Sequence, residues 1–132
     1  MAGVKYFHSG KYEQAIGELS NAIRLNTADS DAYSFRGLAY ANLGQHRRAI
    51  QDFDKAIQLD PGYFKAYYNR AIAYGNLGQL QQAMEDYDKA IQLNPDFALA
   101  YNNRSIAYGK LSQYSQRRND EAKACYLDSK YC

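Results

Sequence analysis

The stretch KAYYNRAIAYGNLG, residues 65–78, has the look of a buried helix broken by Lys65, Asn69, Arg70 and Asn76. A helix advances about 100° per residue, and on that angle the polar interruptions sort into faces. Tyr67, Ala71, Tyr74 and Gly78 fall on one stripe, and Ala66, Arg70, Ala73 and Leu77 on a second. Both stripes are expected to be covered by neighbouring helices. The third holds Lys65, Tyr68, Asn69, Ile72 and Asn76. Gly44 and Gly78 stand where such a helix ends, because Gly is favoured just past the last turn. Pro61 and Pro95 stop the helices before them, since Pro cannot continue the hydrogen-bond ladder. The pattern predicts one set of helices near 31–43, 65–77 and 99–111 and another near 12–25, 46–59, 80–93 and 115–128. Residues 1–8 read as the tail of one more.

The pattern repeats. KAIQLDPGYFKAYYNRAIAYGNLG from Lys55 returns as KAIQLNPDFALAYNNRSIAYGKLS from Lys89, a shift of 34 residues. The same shift relates Gly3, Tyr6 and Gly10 to Gly37, Tyr40 and Gly44, and KACYLD from Lys123 to KAIQLN. The chain therefore divides into a truncated first unit (1–29), two full units (30–63 and 64–97) and a degenerate or capping fourth (98–132), together one domain. One hairpin of this size cannot bury a core alone, so neighbours must stack. Gly37, Ala71 and Ser105 mark close helix approaches, with Ala49 and Ala83 as partners. Tyr40, Phe53, Tyr74 and Tyr87 are the expected filling between hairpins.

A helix–turn–helix unit of this length resembles the tetratricopeptide repeat. The second unit carries the pattern as Tyr33, Arg36, Gly37, Tyr40, Ala49, Phe53, Ala56 and Pro61, and the third as Tyr67, Arg70, Ala71, Tyr74, Ala83, Tyr87, Ala90 and Pro95. Tyr replaces the usual Trp and Arg the usual Leu. The fourth keeps Tyr101, Arg104, Ser105 and Tyr108 before departing. The resemblance implies an all-α, right-handed superhelical solenoid of antiparallel hairpins. It also implies a non-catalytic protein-interaction scaffold that holds a partner's peptide in a concave groove lined by the first helix of each unit.

By that resemblance the third stripe faces the groove. Its candidates are Asp31, Phe35 and Asn42 in the second unit, and Lys65, Tyr68, Asn69, Ile72 and Asn76 in the third. Asn102, Asn103 and Lys110 follow in the fourth. Asn69 and Asn103 would contact the peptide backbone, a role suited to an amide that both donates and accepts. Phe35, Tyr68 and Ile72 would supply pockets, and Lys65 would meet a carboxylate. The family's carboxylate clamp is incomplete, because Leu99 and Asn103 stand where two basic groups are wanted. Arg36, Arg70 and Arg104 lie off this stripe and are expected to pair with acids of the array. The competing reading is a structural or self-assembly module, or a piece of a larger repeat protein such as an enzyme, with an empty groove.

Both ends break the pattern. With so short a first helix, Ile16, Leu19 and Ile23 should lie partly uncovered, an edge open to self-association. At the other end Arg117, Arg118 and Glu121 replace Ala83, Met84 and Tyr87. They read either as a polar cap or as a sign that SQRRND is looped and the helix restarts near Glu121.

Composition narrows the picture. The chain of 132 residues is 46% hydrophobic and carries 14 Tyr, 5 Phe and no Trp. Its net charge of +2 gives no electrostatic footprint for nucleic acid or a membrane surface. No apolar run approaches a membrane span, and no signal peptide is visible in MAGVKYFHSG. Cys125 and Cys132 on one helix would lie about 10 Å apart along its axis, too far for a disulfide. Two free thiols point to a reducing, cytoplasmic setting. His8 and His46 have no companions at metal spacing, so neither metal nor cofactor is expected. Asp52, Asp54, Asp86 and Asp88 recur with the repeat and read as surface acids rather than a catalytic pair. The sequon Asn103-Arg104-Ser105 falls inside a predicted helix.

Overall fold

A computed structural model describes residues 2–132. Eight helices follow in order: α1 (Ala2–His8), α2 (Tyr12–Leu25), α3 (Ser30–Asn42), α4 (His46–Leu59), α5 (Phe64–Asn76), α6 (Leu80–Leu93), α7 (Ala98–Lys110) and α8 (Tyr114–Leu127). A 3-10 turn, Ser129–Tyr131, ends the chain. Helices pair as hairpins α1/α2, α3/α4, α5/α6 and α7/α8, and each hairpin stacks on the next. The first helices α1, α3, α5 and α7 also touch in succession, so they form one continuous side of the stack. The predicted limits of α2, α4 and α6 are met, and α3, α5, α7 and α8 begin and end one residue early. SQRRND is helical, so the looped alternative does not hold.

The turns explain the register. Gly10, Gly44 and Gly78 all take φ +77°, which closes each hairpin, and Ser112 holds the same place in the fourth unit at φ 58°. Between hairpins the side chains of Asn26, Asp60, Asn94 and Asp128 each accept the N–H two residues on, at 3.1, 3.1, 3.3 and 3.1 Å. These Asx turns compete with the helix and end it at the same point in every unit.

The core is small residues against aromatic ones. A Cβ on Gly37 would come within 2.8 Å of the Phe53 ring and 3.2 Å of the Ala49 carbonyl. Phe53 and Leu19 are fully buried, and Tyr87 is nearly so. Tyr40 and Tyr74, expected in the core, are half-buried. The Arg36 guanidinium lies over the rings of Tyr33 and Tyr40, and Arg70 over Tyr67 and Tyr74.

The three arginines clamp neighbouring units. Arg36 holds Asp52 through two hydrogen bonds of 2.8 and 2.7 Å and Ser20 at 3.1 Å. One repeat on, Arg70 holds Asp86 at 2.7 Å twice and Asp54 at 2.8 Å. Arg104 then holds Asp120 at 2.8 and 2.7 Å and Asp88 at 2.9 Å. Each thus ties its own hairpin to the second helix of the hairpin before. This corrects the reading of all four acids as surface groups: Asp52 and Asp86 are buried, and only Asp54 and Asp88 are exposed. A carboxylate recurring every repeat tolerates burial when a bidentate Arg recurs with it.

The ends also differ from expectation. Leu19 and Ile23 are buried in a cluster with Ala15, Ala32 and Ala39, against which Val4, Tyr6 and Phe7 of α1 pack. Only Ile16 is left half-exposed, because a helix of two turns already reaches over the α2 face. Arg117 fits at a close contact because Gly109 leaves room: a Cβ there would stand 3.1 Å from the Arg117 stem. Its guanidinium escapes to Glu121 at 3.1 Å. Cys125 and Cys132 form a disulfide. The expectation of free thiols assumed one continuous helix; α8 stops at Leu127, and the 3-10 turn folds back to bring the two Cα atoms within 4.7 Å. With the bond formed, the argument from free thiols to a reducing compartment lapses.

Candidate functional site

The third stripe lies along α3, α5 and α7, and its members part company there. Asp31, Asn42, Lys65, Asn76 and Lys110 are exposed, while Asn69, Ile72, Asn102 and Asn103 are half-buried. Phe35 packs edge-on against Phe7 and His8, with ring centres 5.7 and 6.1 Å away. Tyr68 is buried between Phe97 and Tyr87, at 4.8 and 6.2 Å, and burial pushes its phenol up to about 12. Its hydroxyl accepts a 2.6 Å hydrogen bond from Asn103 Nδ2. Burial, with the Asp31 carboxylate nearby, likewise raises Tyr63 to about 12.

Two clefts open along the stripe. The first, about 240 Å³, has Phe53 as floor, Leu38 and Ile72 as walls, and Asn42, Asn69 and Asn76 at the rim. The second, about 140 Å³, has Tyr87 as floor, Ile72 and Ile106 as walls, and Asn76, Asn103 and Lys110 at the rim. Each of those second-cleft residues stands 34 positions after its first-cleft counterpart. The clefts are therefore one site built twice, with Ile72 and Asn76 shared. Asp31, Phe35, Lys65, Tyr68 and Asn102 line neither. The floors were missed by reasoning on the first helices, because Phe53 and Tyr87 come from α4 and α6. Applying the same register to the second helices would have found them.

The chemistry is that of binding. Asn42 donates Nδ2 to the Leu38 carbonyl at 2.8 Å and Asn103 donates to Tyr68, which leaves both Oδ1 atoms without a donor among the described residues. Ile106 is 53% exposed, a branched aliphatic held at the surface. Among the described residues no group of three or more His, Cys, Asp or Glu is placed to hold a metal ion. No helix among the described residues is long and apolar enough to cross a membrane. A further hollow of about 550 Å³ lies at the α3–α4 turn beside His46 and Arg47, away from the stripe.

A family model described as "Tetratricopeptide repeat" matches residues 30–63 and 64–97, and two related ones match residues 3–44 and 86–119. No curated protein matches the chain in sequence. Among solved structures, the crystal structure of MamA is 29% identical with a TM-score of 0.91, covering 97% of this chain and 75% of that one. The first TPR of Spaghetti (RPAP3), bound to HSP90 peptide SRMEEVD, is 30% identical with a TM-score of 0.82, covering 84% of this chain and 88% of that one. YrrB, described as a TPR protein with an unusual peptide-binding site, shares the fold at 20% identity with a TM-score of 0.86, covering 97% of this chain and 66% of that one.

Proposed function

Because the chain belongs to the tetratricopeptide repeat family, we propose that residues 1–132 act as one non-catalytic scaffold domain that holds a peptide segment of a partner protein along α3, α5 and α7. The observation that carries this reading is the pair of clefts in repeat register. Each combines an aromatic floor, aliphatic walls and amide rims, a combination suited to apolar side chains on an extended main chain. Asn69 and Asn103 contact the main chain of the peptide, and the clefts take its side chains. A peptide bound to the related Spaghetti domain supports the same use of the fold.

The test is affinity capture with the chain as bait, followed by calorimetry on the captured segment. Asn69→Ala with Asn103→Ala should weaken binding about tenfold or more, as expected when hydrogen bonds to a desolvated main chain are lost. Asn69→Ala alone separates the groove effect from loss of the Asn103–Tyr68 bond. Unchanged affinity in the double variant would exclude backbone contact by these amides.

A further inference from the structure

Resting on the groove reading above, we infer that the groove selects a segment with two aliphatic side chains three residues apart and an acidic residue beside one of them, bound as a polyproline II-like strand. Three features of the site lead there. The first is spacing. The clefts are related by one repeat, and α3, α5 and α7 touch in succession. Helices in contact lie about 8–10 Å apart, and the equivalent wall residues Leu38, Ile72 and Ile106 stand on α3, α5 and α7, so the two clefts are offset by about that distance. In polyproline II geometry, with about 3.1 Å per residue and three residues per turn, side chains at i and i+3 share a face about 9.3 Å apart. A β-strand repeats its face every second residue, about 6.6 Å, and falls short.

The second feature is the amide rim. A bound helix also presents side chains near this spacing, at i and i+7, about 10.5 Å. Its main chain, however, is satisfied internally and has no use for rim amides. A polyproline II strand has no internal hydrogen bonds. Asn42 and Asn103 have committed their N–H groups and present Oδ1 to the groove. They accept peptide N–H groups, so residues facing them are not proline.

The third feature is charge. Lys110 rims the second cleft, and Lys65 stands one turn before Asn69 on α5. No acidic residue lines either cleft. The ligand's acid therefore lies next to the aliphatic side chain seated over Tyr87, where Lys110 reaches it.

A displayed random peptide library selected against the chain tests the inference. The expected consensus is aliphatic-x-x-aliphatic flanked by Asp or Glu. A synthetic peptide of that consensus should bind about tenfold more weakly to Lys110→Glu, whose reversed charge repels the acid, and should lose binding to Ile72→Asn, which disrupts the wall shared by both clefts. Far-UV circular dichroism verifies that both variants remain helical. Enriched peptides that need Ile72 but space their aliphatics by two or seven, or lack an acid, overturn the inference and leave the groove reading standing. Failure to enrich any peptide, or enrichment of peptides indifferent to Ile72, overturns both.

Discussion

Helix α6 buries Ala83, Met84, Asp86, Tyr87 and Ala90, whereas α8, of equal length and one repeat further on, buries Asp120 and Ala124. Both pack on their first helices along the whole hairpin. The apolar seal of α6 has been replaced in α8 by an ion pair, one small residue and a disulfide. The difference shows which parts of a repeat unit shape the hairpin and which serve only its next neighbour. The Arg–Asp clamp and the Ala contact persist in α8 and belong to the hairpin. Met84 and Tyr87 become Arg118 and Glu121, both exposed, and belong to the seam with the following unit.

The sharpest way to break that comparison is to cut the same register position in both helices. Tyr87→Ala should cost about 3–5 kcal/mol, the usual range for losing a buried aromatic. Glu121→Ala should stay within about 0.5 kcal/mol. Urea denaturation of both variants checks this, and similar costs would mean that α8 has a hidden seam. A second contrast lies within the clamps. Asp52→Ala should cost about 3 kcal/mol, because Arg36 keeps only the Ser20 hydroxyl as a hydrogen-bond partner once its buried carboxylate is gone. Asp86→Ala should cost about half that, since Asp54 still holds Arg70 at 2.8 Å. Thermal melts of the pair decide the order. The most local effect concerns the terminus. Reducing Cys125–Cys132 releases a short loop, worth about 2 kcal/mol in the chain-entropy picture. Hydrogen exchange should speed at the amides of residues 123–131 and stay unchanged in α6; acceleration in both helices would show that the disulfide supports more than the fourth unit.

The fold was legible because its signals are local and repeated. Gly44, Gly78, Pro61 and Pro95 mark boundaries by backbone chemistry that neighbours do not alter. A period of 34 residues multiplies each weak signal by the number of units. The site was legible in part: one stripe on α5 contains Asn69, Ile72 and Asn76, all of which line clefts. Helical periodicity placed Tyr68 on that stripe as well, yet its ring turns inward to Phe97 and Tyr87. A stripe spans an arc wide enough to hold both a groove wall and a core residue.

Periodicity by itself therefore determined the helices, their register and the side of each that meets its neighbours, since these follow from turn residues and the angle per residue. Contacts across helices were decided only by the tertiary structure. The aromatic floors from α4 and α6, the burial of Asp52, Asp86 and Asp120, the cover of α1 over Leu19, and the return of Cys132 to Cys125 all depend on atoms far apart in the repeat or beyond a helix end. A period states which positions are equivalent; it does not state which of them meet.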